Sequence, residues 1–414
     1  MAATDPAGAA PQAAAHSLPR VLWPLMFGNI VIGSGVMVVA GTLNEISTSL
    51  RVSVATAGQL ISASALLVCL GAPLLAAVVA GWDRRRLLSL SLCWFGALHL
   101  LCTLMPSFAT LLPMRVLAMV AAAVFTPQAA ACVGLLVPPA LTGRAITFVF
   151  LGWSVASVLG MPTGALIGGL FGWRAAFALV GTLALVCAVW LWRAMPDGVR
   201  PPALSRRAWS DTLRSPALML CIGVTVLFAA GQFVLFSYLA PYFKTRIGIT
   251  PVQLSLLLAW FGAFGLLGNV VLSRQIDRIG APRAVMLALG SMALSLLIWP
   301  LGSTLWLAAL VAVPWALGNF AANSAQQARL VRLAPTLASA SISLNTSAIY
   351  AGQALGAATG GWLIAHERMD WLNWCGLASL LLAMTLSARA TQASRRHKNE
   401  TIVLPVKSGL HDNA

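Results

Sequence analysis

Charged side chains are scarce in this sequence. Asp, Glu, Lys and Arg make up 9% of its 414 residues, against about 25% in soluble domains, and that shortage excludes a water-soluble fold. Acids are the rarest: ten Asp and Glu, all in tails, loops or the ends of apolar runs. With no carboxylate in mid-run, the usual titratable group of a proton pathway is missing. The seven cysteines (Cys69, Cys93, Cys102, Cys132, Cys187, Cys221 and Cys375) lie inside apolar runs and form no CxxC or CxxH pattern. Neither zinc nor a disulfide framework is therefore indicated. No cluster of His, Asp, Glu, Ser or Cys has catalytic spacing, so an enzyme is not expected. No ring of charges or repeated filter segment marks a channel. No cofactor or metal is called for.

What is present is apolar length. Hydrophobic residues make up 59% of the chain, and twelve runs reach the roughly 20 residues a membrane-spanning helix needs. A polar, Pro-containing and Arg-rich segment at 194–216 divides them six and six. The expected plan is an all-α integral membrane protein: a disordered tail at 1–19, a six-helix bundle at 20–193, the linker at 194–216, a second bundle at 217–390 and a tail at 391–414. Twenty of the 26 Lys and Arg fall on the side of the termini, five on the other, and Arg115 alone within a run. By the positive-inside rule both termini are cytoplasmic, in a bacterial inner membrane. The excess of basic residues is thus an orientation signal rather than a nucleic-acid footprint.

The halves repeat each other. Ala156, Gly160, Gly164 and Gly168 recur every fourth residue in the fifth run, and Ala348, Gly352, Gly356 and Gly360 do so in the eleventh, each 192 positions later. Small residues on one helix face let a neighbouring backbone come close. Such a face serves either static packing or sliding during transport, and Pro162 within the first stripe permits a bend. Parallel repeats of this kind are a transporter architecture with the substrate held between the halves.

Few residues are equipped for chemistry inside the spans. Arg115 carries a charge that costs about 2.5–3.5 kcal/mol at the bilayer centre; it either snorkels to the interface or faces a cavity. Asn29, Gln232, Asn323 and Asn345 are amides that join helices or, with Arg115, line a polar cavity walled by Trp153, Phe236, Trp260 and Trp315. His99 is the one deeply placed group that titrates near neutrality, unless it is a hydrogen-bonded packing residue; Glu45, at the end of the first run, is the next candidate proton site. In the loop after the eighth run, Asp277 with Arg278 or Arg283 forms a candidate inner gate.

Several stretches resemble the major facilitator superfamily, and within it the twelve-span drug:proton antiporters that include bacterial sugar and purine-nucleoside exporters. GMPTGALIGGLFGWRAAF (160–177) is similar to that group's fifth-helix antiporter motif. GAPLL (71–75), Arg115 with the small residues after it, GNVVLSRQIDRIG (268–280) and ARLVRLAPTLASASISLNTSAIYAGQALGAATGG (328–361) add to the likeness, which runs from about residue 21 to 390. The resemblance implies a major facilitator fold with Gly160, Pro162, Gly164 and Gly168 on an antiporter-like helix. It implies a monomeric secondary transporter exporting a small organic solute (drug, sugar, nucleoside or siderophore-like) in exchange for protons. Import or facilitated diffusion of a nutrient or metal chelate is the alternative on the same fold. Two departures stand out. Ala80 and Gly81 occupy the place of the family's Asp-Arg pair after the second span, so the inner latch is expected to be one-sided and to rest on Asp277. In the first span Val36 stands where relatives carry an acid.

Overall fold

The computed structural model describes residues 19–138, 141–200 and 206–403; the tail expected at 1–19 falls almost wholly outside them, whereas the first part of the one expected at 391–414 continues the last helix to Val403. All regular structure among the described residues is helical. The first half contains α1 (Leu22–Gly41), α2 (Leu43–Leu50), α3 (Val54–Val78), α4 (Arg84–Thr103), α5 (Phe108–Leu136), α6 (Thr142–Val155), a π-helical turn at Ala156–Gly160, α7 (Met161–Phe171) and α8 (Trp173–Ala194). A short helix, α9 (Arg206–Arg214), lies within the segment read as a linker. The second half contains α10 (Pro216–Phe236), α11 (Leu239–Ile247), α12 (Pro251–Ile279), α13 (Ala281–Ile298), α14 (Leu305–Leu333), α15 (Ala338–Ala365) and α16 (Leu372–Val403).

Eleven helices among the described residues are long and apolar enough to cross a membrane, α6 and α7 counting as one span through the π-turn. The twelfth, α15, has the length at 28 residues. Its Asn345, Tyr350, Gln353 and many Ser, Thr and Gly residues dilute its hydropathy. Helix starts are marked by side chains that satisfy orphan N–H groups. The hydroxyls of Ser53, Ser107 and Thr304 and the carboxylate of Asp83 each accept from the third residue of the helix that follows. Thr250 and Gln253 form a reciprocal box ahead of α12.

The glycine stripes are the seams of each half. A Cβ on Gly152, Gly160 or Gly168 would lie 2.3 Å from Met26 O, 1.9 Å from Ser34 Oγ and 2.3 Å from Thr42 Cγ2, all on or just beyond α1. In the second half, Cβ atoms on Gly352, Gly356 and Gly360 would meet the carbonyls of Val226, Ala230 and Val234 at 2.4 Å each. The eleventh span therefore packs on the backbone of the seventh, and the fifth on the backbone and short side chains of the first, with the four-residue period on both sides.

The halves meet along two further seams, α3 against α15 and the π-turn with α7 against α12. Gly262 sits so close to the fifth span that a Cβ would lie 2.7 Å from Val158 Cα, and Ser255 Oγ donates to Pro162 O at 2.9 Å. Towards the α1–α2 end the apolar core is continuous across the halves, running from Leu43, Ile46 and Leu60 to Tyr238, Phe243 and Leu254.

Candidate functional site

The burial of Arg115 decides between snorkelling to the interface and facing a cavity. The helix starts at Phe108, which places Arg115 about 10 Å along it, and the side chain is 1% exposed. It turns inward and does not snorkel. Nη1 donates to His99 Nε2 at 2.8 Å, and Nη2 donates to the carbonyls of Gly35 at 2.7 Å and Val36 at 3.3 Å. The guanidinium also lies 5.7 Å from the ring centroid of Phe177. None of these partners carries a negative charge, and no Asp or Glu among the described residues pairs with Arg115.

His99 is fully buried on α4, and its Nδ1 donates to Phe95 O at 2.8 Å. One ring nitrogen is thus a committed donor and the other a committed acceptor, which fixes the neutral tautomer. Protonating Nε2 requires breaking its bond to Arg115. The geometry favours the packing reading of His99 over the proton carrier: it aims the arginine.

Arg115 lines a narrow crevice between α1, α3, α5 and α15, with Val36, Ser64, Met119, Tyr350 and Gln353 among its other walls. It has space for about one water molecule. The four amides expected beside Arg115 lie elsewhere. Asn29 Nδ2 donates to Val149 O at 3.1 Å, and its Oδ1 accepts from Thr126 at 2.8 Å. Asn345 Oδ1 accepts from Thr225 at 2.6 Å, and its Nδ2 donates to Asn323 Oδ1 at 3.3 Å. Asn29 joins the first span to the fourth and fifth; Asn345 joins the eleventh to the seventh and tenth. Gln232 is buried on α10. The expected aromatic walls also divide. Phe236 and Trp315 pack with Phe261 and Trp299 inside the second half, and Trp260 donates to Ala309 O.

Ser64 was not singled out from the sequence, because a lone hydroxyl in an apolar run gives no signal. Arg174, in the GWR that follows the fifth span, is also informative. It stacks on Trp173 at 4.4 Å and donates to Ser49 Oγ and to the carbonyls of Thr103 and Met105. It staples three connections of the first half at one end.

The expected gate is corrected at both loops. Asp277 pairs with Arg332 at the end of α14, not with Arg278 or Arg283, which are exposed. Spans eight and ten run parallel and finish at the same face, so the partner is a neighbouring helix end rather than a chain neighbour. The latch is also not one-sided. Arg84, though no Asp-Arg pair precedes it, donates to the carbonyls of Val79, Ala80 and Trp82 and closes the end of α3. Asp83 accepts from Gly198 N–H, Arg84 N–H donates to Val199 O, and Arg85 pairs with Asp197 at 2.6 Å. Each loop is bonded within its own half.

Glu45 lies on α2, outside the spans, in contact with α11. Its Oε2 is buried without a hydrogen-bond partner. Burial raises its pKa from the ordinary carboxylate value, with its own backbone and Lys244 pulling the other way.

The Major Facilitator Superfamily family model matches residues 25–357 and 223–408. A chloramphenicol resistance protein of Streptomyces lividans is 32% identical over 381 residues, 89% of this chain and 95% of that one. The purine ribonucleoside efflux pump NepI of Salmonella enteritidis is 26% identical over 84% of this chain and 88% of its own length. The inward-facing, unoccupied crystal structure of a bacterial homologue of the human lysosomal transporter Spinster superposes with TM-score 0.72 at 19% identity, covering 94% of this chain and 98% of that one.

Proposed function

The chain belongs to the major facilitator superfamily, and from that premise we propose that it exports a small organic solute by rocking one six-helix half against the other. The distribution of contacts between the halves carries this reading. They touch along α3–α15 and the fifth span–α12 and share an apolar core at the α1–α2 end, while the loops at the opposite end are tied within their own halves. A bundle sealed at one end and bonded across at neither inner loop matches one state of alternating access. With the Arg-rich end in the cytoplasm, the sealed end is the outer one.

Export is favoured over import by two relatives named for resistance and efflux, each matched over more than four fifths of this chain. For the driving ion we favour the proton, with Glu45 rather than His99 as its carrier, since both His99 nitrogens are engaged and one Glu45 oxygen is not. The test is flux of chloramphenicol and of purine ribonucleosides in proteoliposomes with an imposed pH gradient. Solute movement should follow the gradient in the native protein and lose that coupling in Glu45→Gln. Counter-transport indifferent to the gradient, and unchanged by the substitution, would leave a facilitated exchanger.

A further inference from the structure

We propose that the Arg115 crevice, with space for about one water molecule while the seam is closed, is a subsite that takes a small anionic group from outside the chain as α3 and α15 part. The inference deepens the transport reading above and rests on it for the crevice being part of the substrate path. Three observations converge. Arg115 is 1% exposed and has only dipolar partners, the ring of His99 and the carbonyls of Gly35 and Val36. Its Nε is buried with no hydrogen-bond partner. Ser64, 5% exposed on the facing helix, likewise leaves its Oγ unpartnered, and both residues line the same crevice.

A buried cation held only by dipoles is incompletely compensated, because desolvation takes away more than neutral acceptors return. Within the chain Val36 borders the crevice, and its carbonyl already accepts from Arg115. Its side chain is apolar. The charge is therefore completed by a mobile anion in the crevice that Arg115 and Ser64, the owners of two unpartnered polar atoms, both line. Tyr350 and Gln353 reach the crevice from α15 of the other half, so an anion there is felt by both halves at once. A charged substrate would thus be recognised at the seam that transport must open.

The experiment uses the full chain purified in detergent. Its thermal unfolding is followed in low-salt sodium HEPES and after addition of about 100 mM sodium acetate, benzoate or chloride. A rise of about 2–5 °C is expected. A rise with acetate and benzoate alone identifies a substrate carboxylate; an equal rise with chloride identifies an inorganic counter-ion in the same place. Val36→Glu should supply the charge internally, raising the midpoint without added anion and abolishing the anion-dependent rise. Arg115→Gln should abolish it as well. A rise that survives in Val36→Glu is a general salt effect and overturns the proposal even if Arg115→Gln fails to fold. No rise in the native protein overturns it too. A protein that still exports in proteoliposomes without any anion response would sink the subsite and leave the exporter standing.

Discussion

At the scale of single residues, two buried polar groups are held in tension with their surroundings. His99 supplies the acceptor that occupies Arg115 Nη1. Truncating it strands a buried charged donor, at a cost of about 1–3 kcal/mol. His99→Ala should therefore lower the thermal midpoint by several degrees, and His99→Gln, whose amide oxygen can accept, should recover part of the loss. Equal losses in both would mean that the ring's stacking on Phe95 and Phe177, not its acceptor, is what matters. Glu45 sets a different dependence. Its folded-state pKa is raised by burial, so the folded protein holds that proton more tightly than the unfolded chain. Stability is then highest below the ordinary carboxylate pKa and declines as pH rises from there through the raised value. Glu45→Gln should remove that decline and raise the midpoint at neutral pH. A pH–stability curve parallel to the native one would refute this.

At the scale of elements, the glycine stripes make a graded prediction. A Cβ at Gly352 would sit 2.4 Å from a carbonyl oxygen, whereas one at Gly164 would approach a methyl of Val38 at 3.3 Å. Gly352→Val should cost about 3 kcal/mol and reduce folded yield; Gly164→Ala should be nearly neutral, as read by size-exclusion profiles of the detergent-solubilised protein. These helices were legible in the sequence because length, hydropathy and a four-residue period are local properties. Partnerships were not. Arg115 and His99 were each singled out, but their meeting depends on how neighbouring helices pack side by side. Asn29 and Asn345 looked like cavity groups because an amide in an apolar run reads alike whether it faces a solute or a backbone carbonyl. Asp277 could not be matched to Arg332 from spacing, since 55 residues and two spans lie between them. The π-turn before Pro162 was legible only as a permitted bend, because a proline marks where hydrogen bonds are disturbed and not the form the helix then takes.

At the scale of the whole molecule, Gly262 tests the rocking reading. Its contact with the backbone of Val158 exists only while this seam is shut. Gly262→Val should disfavour the sealed state and shift the population towards one open at the α1–α2 end. In a cysteine-free background, Ser255→Cys should then become more reactive towards a membrane-impermeant maleimide added from outside. Unchanged labelling would mean that the seam relaxes locally and does not control the state.

The tie between the loop after α3 and residues 197–199 carries a consequence for the opposite mouth. Val199 is anchored to the first half through Arg84, while α9 is seated against α10 and α15 with Thr212 fully buried. Val199 and Arg206 are thus held by different halves, and the seven residue steps between them make a leash that spans at most about 25 Å. The aperture on that side therefore has a ceiling set by contour length rather than by packing. Lengthening the leash would widen the doorway without touching a single helix contact.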